Sequence, residues 1–200
     1  MLTNTQATAD LLALLQTKSV AYGDFLLSSG ARSNYYIDCR LTTLDAAGAC
    51  LVGQVMHGLI AEKAAALGVR PDGVGGLTLG ADPISFAVGM YSVWSQQVQI
   101  WKPFVVRKAA KAHGQAKRIE GGFRAGDTVV VVDDVITRGD ATINAIEAIV
   151  AEGGKIAFVA VLVDRQEGGR QRIEALGYPV VAAFCRDQLI RPEALAARPA

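Results

Sequence analysis

Three cysteines are all this 200-residue chain contains, and Cys39, Cys50 and Cys185 share no C-x-x-C spacing. An odd, dispersed set indicates neither a disulfide framework nor a zinc site, and it fits a reducing cytoplasm. Neither sign of charge is in excess: 20 Lys and Arg stand against 19 Asp and Glu, for a formal net charge of +1. Nucleic acid and membrane surfaces are therefore not expected as partners. No apolar run approaches the roughly 18–20 residues of a membrane span. Met1-Leu2-Thr3-Asn4-Thr5-Gln6 lacks the basic and apolar regions of a signal peptide. Internal repeats and low-complexity blocks are missing too. What remains is a globular composition, 51% hydrophobic and 20% charged. The length suits one domain over residues 1–200 with a substantial core.

The order of patterns implies an α/β fold. An amphipathic helix is expected over Ala7–Lys18, a strand over Asn34–Asp38 and an Ala-rich helix over Asp45–Leu67. A short apolar stretch from Val74 ends in glycines, and a helix follows over Asp82–Trp94. Strands are expected over Val98–Val106, from Val129, over Ile156–Val163 and over Val180–Phe184, with helices over Ala141–Glu152 and Gly169–Leu176. Arg107–Gly122 is polar without apolar periodicity. Alternating strands and helices predict a mostly parallel sheet flanked by helices. The N-terminal helix and the Tyr35-Tyr36 strand stand outside the alternation and suggest a small cap, about residues 1–43, over the ligand end. Residues 186–200 form an Arg/Pro/Ala-rich tail whose end is expected to fray.

The most informative stretch is Val129-Val130-Val131-Val132-Asp133-Asp134-Val135-Ile136-Thr137-Arg138-Gly139-Asp140-Ala141-Thr142. Four valines read as a strand buried on both faces. The two acids are expected where it emerges, at the carboxyl end where open α/β sheets bind ligands. The Thr/Gly turn then feeds a helix N-terminus, whose unpaired N–H groups suit an anion. Acids beside a phosphate cradle fit a sugar phosphate. Taken alone, Val-Val-Asp-Asp could be a simple βα connection with the acids capping the helix. Thr137 and Gly139, however, fall where a tight phosphate turn needs a hydroxyl and a residue without a side chain.

This stretch resembles the phosphoribosyl-pyrophosphate (PRPP) signature of the type I phosphoribosyltransferases. The resemblance implies their fold, with the N-terminal cap as its hood. It also implies that Asp133, Asp134, Val135, Ile136, Thr137, Arg138, Gly139, Asp140 and Ala141 bind PRPP. Asp140 puts a carboxylate where the family usually has a small or hydroxyl residue. Its backbone N–H can still donate while the side chain points away or caps the helix.

Three more segments point to one branch of that family. Arg107-Lys108-Ala109-Ala110-Lys111-Ala112-His113-Gly114 gathers three cations and a histidine in a segment without an apolar face. By itself it could be a solvated basic loop or a lid that closes on a polyanion. It resembles the Arg-Lys-x-x-Lys-x-His-Gly loop of orotate phosphoribosyltransferases. By that resemblance Arg107, Lys108, Lys111 and His113 engage pyrophosphate, Lys111 is the catalytic lysine, and the 107–122 lid is shared across a homodimer. Asp164-Arg165-Gln166-Glu167-Gly168-Gly169 resembles the same family's Asp-Arg-x-Glu-Gly-Gly element, which assigns orotate contact to Arg165. Without the resemblance it would pass for a surface Arg–Glu pair at a turn.

Phe25-Leu26-Leu27-Ser28-Ser29-Gly30-Ala31-Arg32-Ser33-Asn34-Tyr35-Tyr36-Ile37-Asp38 resembles the base-binding element of that family. Ser29, Tyr36 and Ile37, with Thr137, are the implied orotate contacts. Taken singly, the two tyrosines read as cap-packing residues. Some family members carry lysine where Ser28 stands, and Arg32 could supply that charge instead. The pyrophosphate loop corresponds to Gly73-Val74-Gly75-Gly76-Leu77-Thr78-Leu79-Gly80. Gly75, Gly76, Thr78 and Gly80 are candidate contacts, and the lysine many members have near Leu79 is missing.

The implied reaction is orotate + PRPP → orotidine 5′-monophosphate + pyrophosphate in pyrimidine biosynthesis. Mg²⁺ would be held mainly by PRPP and water, with Asp133 and Asp134 fixing ribose hydroxyls and the water shell. Orotate is already anionic, so no strong protein base is needed, which agrees with the lack of an obvious Ser-His-Asp set. Two alternatives stand beside this reading. A PRPP-sensing regulator would keep the turn but would not need the lysine lid. Another nucleobase phosphoribosyltransferase would share the turn without the Asp164–Gly169 element.

Overall fold

The computed structural model describes residues 4–26, 30, 32–96, 99–109 and 117–196, with side chains to residue 194. Its centre is β6 (Thr128–Ile136), paired in parallel with β3 (Gly73–Leu77) and β7 (Lys155–Asp164). β4 (Lys102–Val106) and β8 (Val180–Cys185) extend the sheet, and β5 (Ile119–Gly121) closes one edge antiparallel to β4. The order is β5-β4-β3-β6-β7-β8. Val129 to Val132 are fully buried, as the four-valine run predicts. Val130 and Val132 join one core, Val129 and Val131 the other, so the pleat sends alternate side chains to opposite faces.

The first core is covered by α1 (Asn4–Leu14), α3 (Ala46–Leu67) and α4 (Ala81–Trp94). α5 (Asp140–Ala151) and α6 (Gly169–Ala175) cover the second. α3 starts where Asp45 accepts a hydrogen bond from the Gly48 N–H and stops at Gly68, whose φ of 64° is left-handed. α1 continues into a π-helical turn, Leu15–Ser19. Ala7, Leu11 and Leu15 belong to the first core, so this helix is structural and not part of the expected cap.

The hood is instead a hairpin of β1 (Val20–Leu26) and β2 (Arg32–Ile37), antiparallel with a bulge between Tyr22 and Phe25. β1 was not legible because Val-Ala-Tyr-Gly-Asp-Phe-Leu does not alternate, and its residues are mostly exposed. β5 in the polar segment was missed for its brevity, and β4 begins at Lys102, later than expected. A short α2 (Arg40–Thr43) leads from hood to α3. The tail forms α7 (Arg186–Leu189) and α8 (Pro192–Ala196). Leu189 and Ile190 are buried, and the Ala194 carbonyl accepts a hydrogen bond from Asn34 Nδ2 of the hood at 2.8 Å.

Candidate active site

β6 does not end before its acids, as the sequence suggested. It carries Asp133 and Asp134 inside the strand, opposite Val161 and toward Val163 of β7, and leaves the sheet only after Ile136. Asp133 is consequently only 5% exposed. Its Oδ2 accepts the Thr142 hydroxyl from α5 at 2.8 Å, and its Oδ1 accepts the Asp134 N–H at 3.1 Å. Burial first, and the neighbouring Asp134 charge second, push the Asp133 carboxyl up to about 7. Asp134 is raised by burial too, while the Val135 N–H and then the Arg40 guanidinium pull it back.

Gly80, at the start of α4, lies against this pair. A Cβ there would press on the Asp134 and Asp133 carboxylates, so glycine lets the loop pass close to the pair. Across the acids, Gly139 takes a φ of 82° and turns the chain into α5. Ile143 N–H is bonded to the Gly139 carbonyl at 2.9 Å. The N–H groups of Asp140, Ala141 and Thr142 precede it in the first turn, where α-helical geometry supplies no acceptor. Such a turn is suited to an anion. The Asp140 carboxylate is drawn away from it, to Arg172 at 2.8 Å, and is lowered by that contact.

These elements border one cleft of about 740 Å³. Asp133, Asp134, Val135, Thr137, Arg138, Gly139, Asp140 and Ala141 line it. So do Tyr36, Ile37, Arg165 and Lys108 from three other segments. Arg165 is anchored by its N–H to the Ile136 carbonyl at 3.0 Å and by Nη2 to Glu167 at 2.9 Å. Its guanidinium lies 5.9 Å from the Tyr35 ring centroid, and its buried Nε has no hydrogen-bond partner among the described residues. A buried, unsatisfied donor at a cleft wall is costly unless a ligand meets it.

Several sequence expectations are corrected. The Ile136 side chain is buried in the second core, so only its backbone serves the site. Gly75 and Gly76 lie buried within β3, leaving Thr78, Leu79 and Gly80 to face the cleft. The Thr78-Leu79 peptide there is cis. Arg107 does not line the cleft; it faces Glu120 at 3.6 Å and bonds the Arg118 carbonyl through its N–H. Arg32 pairs with Asp24 on the exposed hood and also stays outside. Lys111, His113 and Ser29 lie outside the described residues. Sequence reading missed Asp38, Arg40, Thr142 and Glu167, all of which line the cleft. Asp38, Thr142 and Glu167 stand inside the quoted motifs without a role of their own, and Arg40 lies two residues past the hood motif.

No family model matches the chain. Its sequence relatives are informative. It is 40% identical over 169 residues to the orotate phosphoribosyltransferase of Rhodopirellula baltica, covering 84% of this chain and 86% of that one. The chain belongs to the orotate phosphoribosyltransferase family. The Mycobacterium tuberculosis H37Rv orotate phosphoribosyltransferase, solved in complex with Fe(III) dicitrate, superposes with a TM-score of 0.78 at 36% identity. That match covers 92% of this chain and 98% of the other. A second structure of that orotate phosphoribosyltransferase, in complex with PRPP, gives 0.72 at 30% identity and covers 92% of each chain. The α/β sheet with its hood is thus the type I phosphoribosyltransferase fold.

Proposed function

We infer that this chain transfers the 5-phosphoribosyl group of PRPP to N1 of orotate, releasing orotidine 5′-monophosphate and pyrophosphate in pyrimidine biosynthesis. One observation carries the reading. The acid pair, the open first turn of α5 and an arginine with a buried free donor all face a single cleft. A phosphate, a ribose diol and an anionic ring each have a matching wall.

In this reading the 5-phosphate rests on the N–H groups of Asp140, Ala141 and Thr142, with the Thr137 hydroxyl beside them. Asp133 and Asp134 accept from the ribose hydroxyls. Arg165 meets the orotate anion with a charge-assisted contact, and Tyr36 and Ile37 cover the ring. As C1 gains oxocarbenium character, the charge moving onto pyrophosphate has to be met by cations already in place. Lys108 supplies them, with Lys111 and His113 carried in by the lid and Arg107 at its base.

Mg²⁺ suits this donor set, since Asp133 and Asp134 offer hard oxygens only. Among the described residues no group of three His, Cys, Asp or Glu could hold a metal by itself. The ion would sit on substrate oxygens and water beside the acids, and when bound it would screen the diphosphate charge.

We further propose a homodimer with the 107–122 lid shared across it. Support comes from α4, which exposes Phe86, Met90, Val93 and Trp94 on one face, with Leu41, Leu44 and Leu79 also exposed. Trp94 is 70% exposed, and large apolar side chains gathered on one face suit a protein interface. Among the described residues no helix is long and apolar enough to cross a membrane. A cytoplasmic location and a single phosphoribosyltransferase unit over residues 1–200 belong to the same reading.

Incubation with PRPP, orotate and Mg²⁺ tests it. Equimolar pyrophosphate and an N1-ribosylated orotate are the expected products; free ribose 5-phosphate or an unreacted base would argue against transfer.

A further inference from the structure

The loop over Leu77–Gly80 presents a hydroxyl and backbone groups to the cleft but no cation. A diphosphate there would need one. Arg40, at the start of α2, lines the same cleft as Thr78, Leu79, Gly80 and Asp134. It also borders an adjoining groove of about 490 Å³ together with Asp38, Leu41, Leu44, Asp45 and Leu79. Arg40 and Leu79 thus mark the line where the two spaces meet.

Arg40 is not a loose surface cation. Its Nε and Nη2 grip the two Asp38 oxygens at 2.8 and 2.9 Å, and its own N–H bonds Asp38 Oδ1 at 3.0 Å. This fork-on-carboxylate arrangement fixes the guanidinium plane and leaves Nη1 without a partner among the described residues. Asp38 is held ionised below the usual carboxylate range by that grip. Arg40 also acts on Asp134 through space, so it lies close to the acid pair. A clamped guanidinium costs little further side-chain entropy when an anion arrives.

We propose that Arg40, oriented by Asp38, is a further pyrophosphate-binding residue, supplied by the α2 turn beneath the hood to a loop that has no cation of its own. The proposal rests on the transferase reading. The phosphate oxygens of the leaving group would take the Nη1 donors, and Asp38 would act as a positioning residue through Arg40.

The test uses the full chain and inorganic pyrophosphate with Mg²⁺, titrated by calorimetry. Arg40→Gln should weaken pyrophosphate roughly tenfold, as expected for loss of one charge-assisted contact at a half-exposed site. Arg40→Lys should recover only part, because a point charge does not fit the Asp38 clamp. Asp38→Asn should give a smaller loss in the same direction. KM for PRPP should rise with these losses while KM for orotate stays within about twofold of wild type. A folded Arg40→Gln protein, checked by its thermal transition, that binds pyrophosphate as tightly as wild type overturns the proposal. Full recovery by Lys, or no effect of Asp38→Asn, overturns the clamp on which it depends. A wild-type protein that fails to convert orotate would sink the transferase reading instead, and the two failures are read from different assays.

Discussion

The Thr142 hydroxyl donates to Asp133 Oδ2 at 2.8 Å, joining the first turn of α5 to the buried acid of β6. One hydrogen bond thereby fixes the first turn of α5 relative to the carboxylate beside it. The same acid is raised to about 7 chiefly because it is buried, so the fold keeps a desolvated carboxyl where a ligand is needed. Sites of this kind trade stability for function.

That trade has a measurable sign. Asp133 binds its proton more tightly folded than unfolded, so its contribution to stability should fall as pH rises from about 4 to about 7, and then level. Asp133→Asn keeps an acceptor for Thr142 and removes the buried charge. The variant should melt higher than wild type at pH 8, with a flatter pH profile, while binding PRPP at least about tenfold more weakly. Melting curves from pH 4 to 8 and calorimetry check both halves. Lower stability at pH 8, or unchanged PRPP affinity, would contradict the role given to this acid.

Arg165→Ala should raise KM for orotate by about ten- to a hundredfold, the loss of a charge-assisted contact worth roughly 1.5–3 kcal/mol. PRPP affinity should change much less. Equal losses for both substrates would mean that the arginine serves its Glu167 and Tyr35 contacts and not the base.

Lys111→Ala should lower kcat on the order of 10²–10³-fold with little change in PRPP binding, because a closing lid meets the leaving group mainly in the transition state. Mixing it with an Asp133→Asn/Asp134→Asn protein tests the shared lid. Heterodimers would hold one intact site, and activity should return once subunit exchange is confirmed with tagged chains. Exchange without recovery would place the lid within its own chain.

Met90→Glu with Trp94→Glu should shift the protein to monomer in sedimentation, since like charges would face one another across the exposed face of α4. Turnover should fall with the dimer if the lid is shared. An unchanged sedimentation coefficient would move the interface elsewhere.

Much of this architecture was legible because burial on both faces leaves an unmistakable pattern. Val129 to Val132 and Ile156 to Val163 contain almost nothing but apolar residues, and both are sheet interior. β1 gave no such signal, since it is an exposed two-stranded hood whose pairing lies in backbone bonds. Within the site, the run Asp133–Ala141 was legible from acids and glycine placed at a strand-to-helix turn. Its exact strand end was not, because Val135 and Ile136 continue the ladder past the acids. The pairing of Asp38 with Arg40 was invisible for a different reason: an Asp-x-Arg spacing is common, and only the fold brings it to the cleft that the loop over Leu77–Gly80 also lines. Arg165 was found by its motif, whereas its free buried Nε could be seen only in three dimensions.

Base choice is the property that separates an orotate transferase from its relatives most directly. Purified protein with PRPP and Mg²⁺ should consume orotate, followed by loss of its absorbance, and uracil, hypoxanthine or adenine in excess should slow it little. Preferential turnover of uracil or a purine over orotate, or no consumption of orotate at all, would contradict it.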